Sequence, residues 1–448
     1  MYFVHRCALP ALIFTMALGG CDDGEDGVEP IPDAAPSGGS GGEADAGGVG
    51  GTGGGEAGSG GGQGGAGGAP DLSDALREAL EARGQSAWES ADLPGFSIAV
   101  VQGSEVVWSR GWGFADIEGQ VPATPETPYT LGSISKAIMA VGVMQAVDAG
   151  HLTLNTPLSE LPMPFAITNP RAPEGQITLE HLVTHTSGIR DGDAYDCAYA
   201  IDDDGSALYH LADPDLGCPE PVQMDQALFV ESHLTPEGAL YDEGHWAAHA
   251  PGARYSYTNV GSALTAVAFQ AATGQGLDMW TSSKIFDPLG MTSTYWHAEG
   301  ATMPMAVRYY RPEDDGPLEP LPAYSLSTWA DGGLKSSAQD LGAFLGAVVS
   351  AYEGTETVLT PTAAQAMLAS RLDIPSESDW QGVFWSGAGG VFGHSGSDPG
   401  ADTLMFYDRT SAVGVVLLTN ADDDFADLTP VHSLFFDVFE IMGSDFEL

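Results

Sequence analysis

The chain has 448 residues, with 62 Asp and Glu against 14 Lys and Arg and a formal net charge of −48. That length suffices for two or three ordinary domains. The charge excludes nucleic acid as a partner and electrostatic docking on anionic lipid, because both are polyanions themselves.

The first residues read as an address. Arg6 and the amino terminus form a basic region, Ala8 to Leu18 is an apolar run too short to span a bilayer as a helix, and Leu18-Gly19-Gly20-Cys21 follows. A small residue before cysteine at the end of an apolar run predicts a lipoprotein signal over residues 1–20, cut before Cys21, which then carries lipid. Residues 21–70 are Gly, Ala, Ser, Asp and Glu with almost no large apolar residue. Such a segment cannot bury enough surface to offset its ordering, and as a coil it spans roughly 35–40 Å. The expectation is an exported protein tethered by its lipid to a bilayer, in the periplasm or on the surface of a bacterium. Gly38 to Gly42 matches G-x-S-x-G, but no strand precedes it and no helix follows, as that motif requires.

Of four cysteines, Cys7 leaves with the signal and Cys21 takes the lipid. Cys197 and Cys218 remain, an even pair for which a disulfide is the default in an exported protein. Free buried thiols are the alternative. Closing a loop of about 20 residues stabilises by roughly 3 kcal/mol in the chain-entropy account.

Structured sequence begins at Asp71, giving one domain over 71–448. Asp71 to Arg83 predicts an amphipathic helix with Leu72, Leu76 and Leu80 on one face. Phe96 to Val101 and Glu105 to Trp112 are rich in β-branched and aromatic residues and flank Gly103-Ser104, a hairpin signal. Ser133-Ile134-Ser135-Lys136 opens a helix that is apolar on nearly every face until Gly150. A mainly helical region follows, over about 140–300. Ala401 to Tyr407 and Ala412 to Asn420 read as strands joined at Asp408-Arg409, and Thr429 to Met442 as a last helix. Strands from both ends of the chain predict an α+β fold: one antiparallel sheet flanked by helices, with the helical region inserted.

The chemistry starts at Ser133 and Lys136. Residues three apart share a helix face, and a neutral amine held against a hydroxyl can take its proton. A helix apolar all round is buried, and burial and the positive helix end both push a lysine toward neutrality. The plain alternative is a capping serine with a solvated lysine. Tyr257 and Asn259 in Tyr255-Ser256-Tyr257-Thr258-Asn259 could relay a proton and hold a substrate amide, or sit in a turn that starts a helix. His394-Ser395-Gly396-Ser397 precedes a strand, where glycine permits close approach by a ligand; a loop histidine is the alternative. His245 and His249 lie four apart but lack the glutamate of a zinc helix, so no metal is expected. His185 reads as a buried hydrogen-bonding histidine and Asp202 to Asp204 as a solvated acidic loop.

These elements, in this order, resemble the serine β-lactamase and penicillin-binding superfamily. The closest branch holds class C β-lactamases, D-alanyl-D-alanine carboxypeptidases, D-amino-acid peptidases and β-lactamase-like esterases. His181-Leu182-Val183-Thr184-His185-Thr186-Ser187-Gly188-Ile189, Asp287-Pro288-Leu289-Gly290-Met291 and Gly332-Gly333-Leu334-Lys335-Ser336-Ser337-Ala338-Gln339-Asp340-Leu341 look like three further blocks of that branch. The likeness runs from about Gly95 to Met442. It implies a β-lactamase/transpeptidase-like fold and an acylated nucleophile at Ser133. Lys136 and Tyr257 would share the proton work, Asn259 would position substrate, and the N–H groups of Ser133 and Ser397 would form an oxyanion hole. His394-Ser395-Gly396 stands where class C enzymes carry Lys-Thr-Gly, which removes a permanent cation and puts efficient β-lactam hydrolysis in doubt. Lys335-Ser336-Ser337 does not replace it, because no glycine follows and the segment suits a helix start. The reading is a monomeric serine hydrolase without cofactor, acting on a small-molecule or peptide substrate: a D-amino-acid peptide, an ester, or slowly a β-lactam. A true class C-like β-lactamase and a non-catalytic peptidoglycan-binding protein are the rivals. The Cys197–Cys218 segment is expected to overhang the cleft and shape specificity.

Overall fold

The computed structural model describes residues 72–91, 93–211, 216–219, 222–297, 307–312, 318–374, 379–422 and 426–443. The expected signal, Cys21 and the tether lie outside the described residues.

Helix α1 spans Asp74–Ser90, with the Ser73 hydroxyl accepting from the Leu76 N–H. It runs a further seven residues past the expected end at Arg83. Gly84 looks like a stop in the sequence, yet here it is a packing residue: a Cβ at Gly84 would lie 2.2 Å from the Trp112 ring. Strands β1, Gly95–Gln102, and β2, Glu105–Asp116, form the expected hairpin, and β3 is the short edge strand Val121–Pro122.

The chain then leaves the sheet. Helix α2, Ile134–Asp148, is buried on all sides and packs against helix α3, Asn259–Thr273. Helix α4, Ala338–Tyr352, lies on β1 and β2. Ser337 caps α4 by accepting from the Asp340 N–H at 3.1 Å. Lys335–Ser336 is a two-residue strand paired with Tyr129–Thr130, not part of the helix start. The sheet resumes only at β4, Leu372–Ile374, so the excursion is wider than the expected 140–300.

From there it is built in sequence by β5, Asp379–Gln381; β6, Ser386–Ala388; β7, Val391–Asp398; β8, Ala401–Asp408; and β9, Val413–Thr419. Among the described residues the main sheet has nine antiparallel strands in the order β4-β5-β6-β7-β8-β9-β1-β2-β3. The last strand pairs with the first, Phe96 opposite Thr419 through to Gln102 opposite Val413. Helix α5, Thr429–Gly443, packs on α1.

Both faces of the central strands are covered, which is why they read as unbroken apolar runs. Successive side chains alternate between faces. Phe96, Ile98 and Val100 point to the layer of α1 and α5, with Leu404, Val415 and Leu417. Ala99 and Val101 point the other way, to α4 and the inserted helices, with Met405, Val416 and Leu418. The α+β architecture expected from the two chain ends is the one observed. Among the described residues no helix is long and apolar enough to cross a membrane.

Candidate active site

Three elements converge at the start of α2. Ser133 occupies the N-cap position, yet its side chain makes no capping bond. Its Oγ instead lies 3.0 Å from the Lys136 Nζ and accepts from the Tyr257 hydroxyl at 2.7 Å. Lys136 is fully buried. Its Nζ also donates to Asn259 Oδ1 and to the Asp331 carbonyl, both at 2.7 Å. Burial lowers the Lys136 amine to about 8, against the opposing pull of Asp331, Asp191 and Asp398. Burial pushes the Tyr257 phenol well above its ordinary range, so it stays protonated and acts as donor.

β7 brings the third element. Gly396 passes so close to the nucleophile turn that a Cβ there would lie 2.0 Å from the Leu131 carbonyl and 2.9 Å from the Ser133 nitrogen. On the opposite side Gly132 is left-handed, φ +52, and its Cβ would meet the Ser397 nitrogen at 2.8 Å. The glycines thus admit backbone from the same chain, where the sequence suggested room for a ligand. The peptide groups of Ser133 and Ser397 stand side by side as a result. Ser133, Tyr257, Asn259, His394 and Ser395 remain partly accessible and Ser397 is exposed, so the site is open above a buried lysine.

The His394 Nδ1 lies 2.6 Å from the Ser395 carbonyl, which can only accept, so Nδ1 carries the proton and Nε2 the lone pair. Burial lowers this imidazole to about 4, with Lys136 acting in the same sense. At neutral pH the ring carries no charge.

Several residues were not found by sequence reasoning. Asp191 accepts from the Thr258 hydroxyl at 2.7 Å, the Asn259 N–H at 2.8 Å and the Val260 N–H at 2.9 Å. Asp331 and Asp398 are buried, and burial raises both carboxyls, to about 8 and about 6. Tyr195 donates to Asp331 Oδ1 at 3.1 Å and Tyr199 to Asp398 Oδ1 at 2.7 Å. Both tyrosines come from the segment at the disulfide, which the structure forms between Cys197 and Cys218. Tyr199, just inside that segment, anchors it to Asp398, and Tyr195, two residues before Cys197, bonds Asp331. The alternation of acid and phenol over 136 and 199 residues of separation leaves no local mark in the sequence.

The other sequence candidates are placed apart from the chemistry or beneath it. His185 is buried, accepts from the Thr258 N–H at Nδ1, and lies under Tyr257 with ring centroids 4.3 Å apart. His245 ends a 3₁₀ turn, Glu243–His245, and stacks on His233 at 3.8 Å, so it and His249 share no helix. Asp202 to Asp204 are exposed. Among the described residues no group of three or more His, Cys, Asp or Glu is placed to hold a metal.

A family model described as Beta-lactamase matches residues 74–431. Protein flp of Staphylococcus aureus (strain N315) is 20% identical over 341 residues, covering 75% of this chain and 61% of that protein; the chain thus spans about three fifths of that relative's length. The octameric penicillin-binding protein homologue from Pyrococcus abyssi superposes with a TM-score of 0.64 at 23% identity, over 82% of this chain and 77% of that one. The D-amino acid amidase from Ochrobactrum anthropi SV3 superposes with a TM-score of 0.63 at 20% identity, over 83% and 99%. At these identities the solved structures speak to the fold.

Proposed function

Because this chain belongs to the Beta-lactamase family, a family of hydrolases, we propose that it is an exported serine hydrolase that opens amide or ester carbonyls through an acyl-enzyme on Ser133. The observation that carries the reading is the position of Ser133 Oγ, 2.7 Å from a phenol and 3.0 Å from a buried amine. A neutral amine has two N–H groups and one lone pair. Asn259 Oδ1 and the Asp331 carbonyl can only accept, so they take the two N–H groups. The lone pair is left facing the Ser133 hydroxyl.

Ser133 gives its proton to Lys136 as Oγ attacks the carbonyl carbon. Negative charge develops on the carbonyl oxygen, where the N–H groups of Ser133 and Ser397 would meet it; fixed donors of this kind contribute about 3 kcal/mol each. The leaving group departs with a proton delivered by Lys136 and Tyr257. Water then cleaves the acyl ester and returns the proton to Ser133.

A neutral His394 offers no ion pair to a substrate carboxylate, and Asp191, Asp331 and Asp398 add acid around the lysine. Both features favour a D-amino-acid amide, a D-peptide with no free carboxylate at the site, or an ester over a β-lactam, whose carboxylate wants a cation. The proposal includes the lipid tether at Cys21 and a monomeric state.

Labelling with a fluorophosphonate and a fluorescent penicillin, on the wild type and Ser133→Ala, tests the reading. The expected result is an adduct that Ser133→Ala loses. Turnover of p-nitrophenyl butyrate and of D-amino-acid amides should exceed that of nitrocefin and of D-Ala-D-Ala peptides, which both carry a carboxylate. An absent or serine-independent adduct sinks the hydrolase and leaves a peptidoglycan-binding protein. Nitrocefin as the fastest substrate would make it a β-lactamase.

A further inference from the structure

Tyr257 and Asn259 reach the nucleophile only if the start of α3 is held in one place. Thr258 caps that helix by accepting from the Gly261 N–H at 3.1 Å, and its hydroxyl proton is therefore free to go to Asp191. Asp191 is a loop residue 67 to 69 positions upstream of the three groups it binds. Its Oδ1 accepts two hydrogen bonds and its Oδ2 one; the N–H groups of Asn259 and Val260 can only donate, so each carboxyl oxygen acts as an acceptor. One of those donors is the backbone of Asn259, whose side-chain oxygen accepts a hydrogen bond from the Lys136 amine. Asp191 is thus two hydrogen bonds from the lysine, and it faces a helix N-terminus, which favours negative charge.

We propose that Asp191 is a positioning residue of this site: its carboxylate clamps the start of α3 so that Tyr257 and Asn259 meet Ser133 and Lys136, and it sets a negative charge beside the lysine. The proposal rests on the reading of Ser133 as the nucleophile. Lys136 is also faced by Asp331, Asp398, His185, His394 and Tyr257. Asp191 in turn is faced by Thr258, Asn259, Val260, Lys136, Asp331, Tyr195 and Tyr257, and by His233, which bonds the Arg190 carbonyl; burial raises its carboxyl, against the opposing pull of its three hydrogen bonds and of Lys136. Of the carboxylates around the lysine, Asp191 alone bonds both the turn that bears Tyr257 and the residue that bonds the amine.

The test is Asp191→Asn in the otherwise intact protein, read in two ways. Turnover of p-nitrophenyl butyrate gives kcat/KM against pH. The chain has three lysines, Lys136, Lys284 and Lys335, so NMR of the protein labelled with 13C at lysine Cε follows the Lys136 titration without any need for activity. The expected result is a fall in kcat/KM of about tenfold. The acid limb of the profile and the Lys136 midpoint should move together to lower pH, because a nearby negative charge has been removed. A wild-type profile and midpoint overturn the proposal. So does a fall in activity with limb and midpoint unmoved, which marks a helix cap and nothing more. If the wild type itself shows no Ser133-dependent turnover, the hydrolase reading fails and the lysine midpoint alone judges Asp191. Should Asp191→Asn not fold, Thr258→Val removes one of the three donors and keeps the charge. Its kcat/KM should fall about threefold with the midpoint unchanged, and wild-type kcat/KM there overturns the proposal.

Discussion

His394 is where a single side chain bears most directly on substrate choice. Its imidazole is neutral because burial opposes charge, and no carboxylate among its strongest influences restores it. A lysine in the same place would bring an ammonium on a long flexible stem, with an ordinary affinity for its proton far above neutral pH. His394→Lys is therefore expected to raise the rate of acylation by fluorescent penicillin, relative to that of p-nitrophenyl butyrate, by about tenfold, the worth of one partly solvated charge pair. An unchanged ratio would mean that the substrate carboxylate does not lie near residue 394.

At the scale of elements, Gly84 sets two effects against each other. Helix propensity alone says that Gly84→Ala in the middle of α1 stabilises by about 1 kcal/mol. The Trp112 ring 2.2 Å from the new Cβ says that it destabilises, and overpacking of that kind costs about 1–3 kcal/mol. The ring is stacked on Phe96 at 5.0 Å and cannot swing away cheaply, so the clash wins. A lower urea midpoint for Gly84→Ala is the expected outcome; a higher one would mean that α1 shifts on the sheet at little cost. The same glycine shows what a sequence hides. Ser133 and Lys136 were legible because their meeting needs only a helical spacing of three. The hairpin and the paired strands Ala401–Asp408 and Val413–Thr419 were legible because β-branched runs sit between turn residues. Asp191, Asp331 and Asp398 were not, because each gains its role from residues brought close by the tertiary fold. The end of α1 was misplaced because a glycine required by a neighbouring ring looks the same as a glycine that stops a helix.

For the molecule as a whole, the net charge of −48 is the dominant long-range term. Its self-repulsion weakens the compact state, and salt relieves it as the Debye length shrinks from about 30 Å at 0.01 M to about 3 Å at 1 M. Among the described residues, ion pairs such as Arg371 with Glu180 at 3.0 Å and Arg308 with Asp116 at 3.3 Å offset only part of this charge. The thermal midpoint should rise by several degrees between those two NaCl concentrations. A falling midpoint would show that ion pairs outweigh repulsion.

The seam between β1 and β9 joins residues 95–102 to residues 413–419 at the middle of the sheet. Until the ribosome reaches Val391, the opening hairpin has no partner on its inner edge, and β7, which closes over Ser133, has not been synthesised. Local contacts cannot finish the core early. Pairing across so long a stretch of chain is slow, and the nucleophile can be assembled only after nearly the whole polypeptide has emerged.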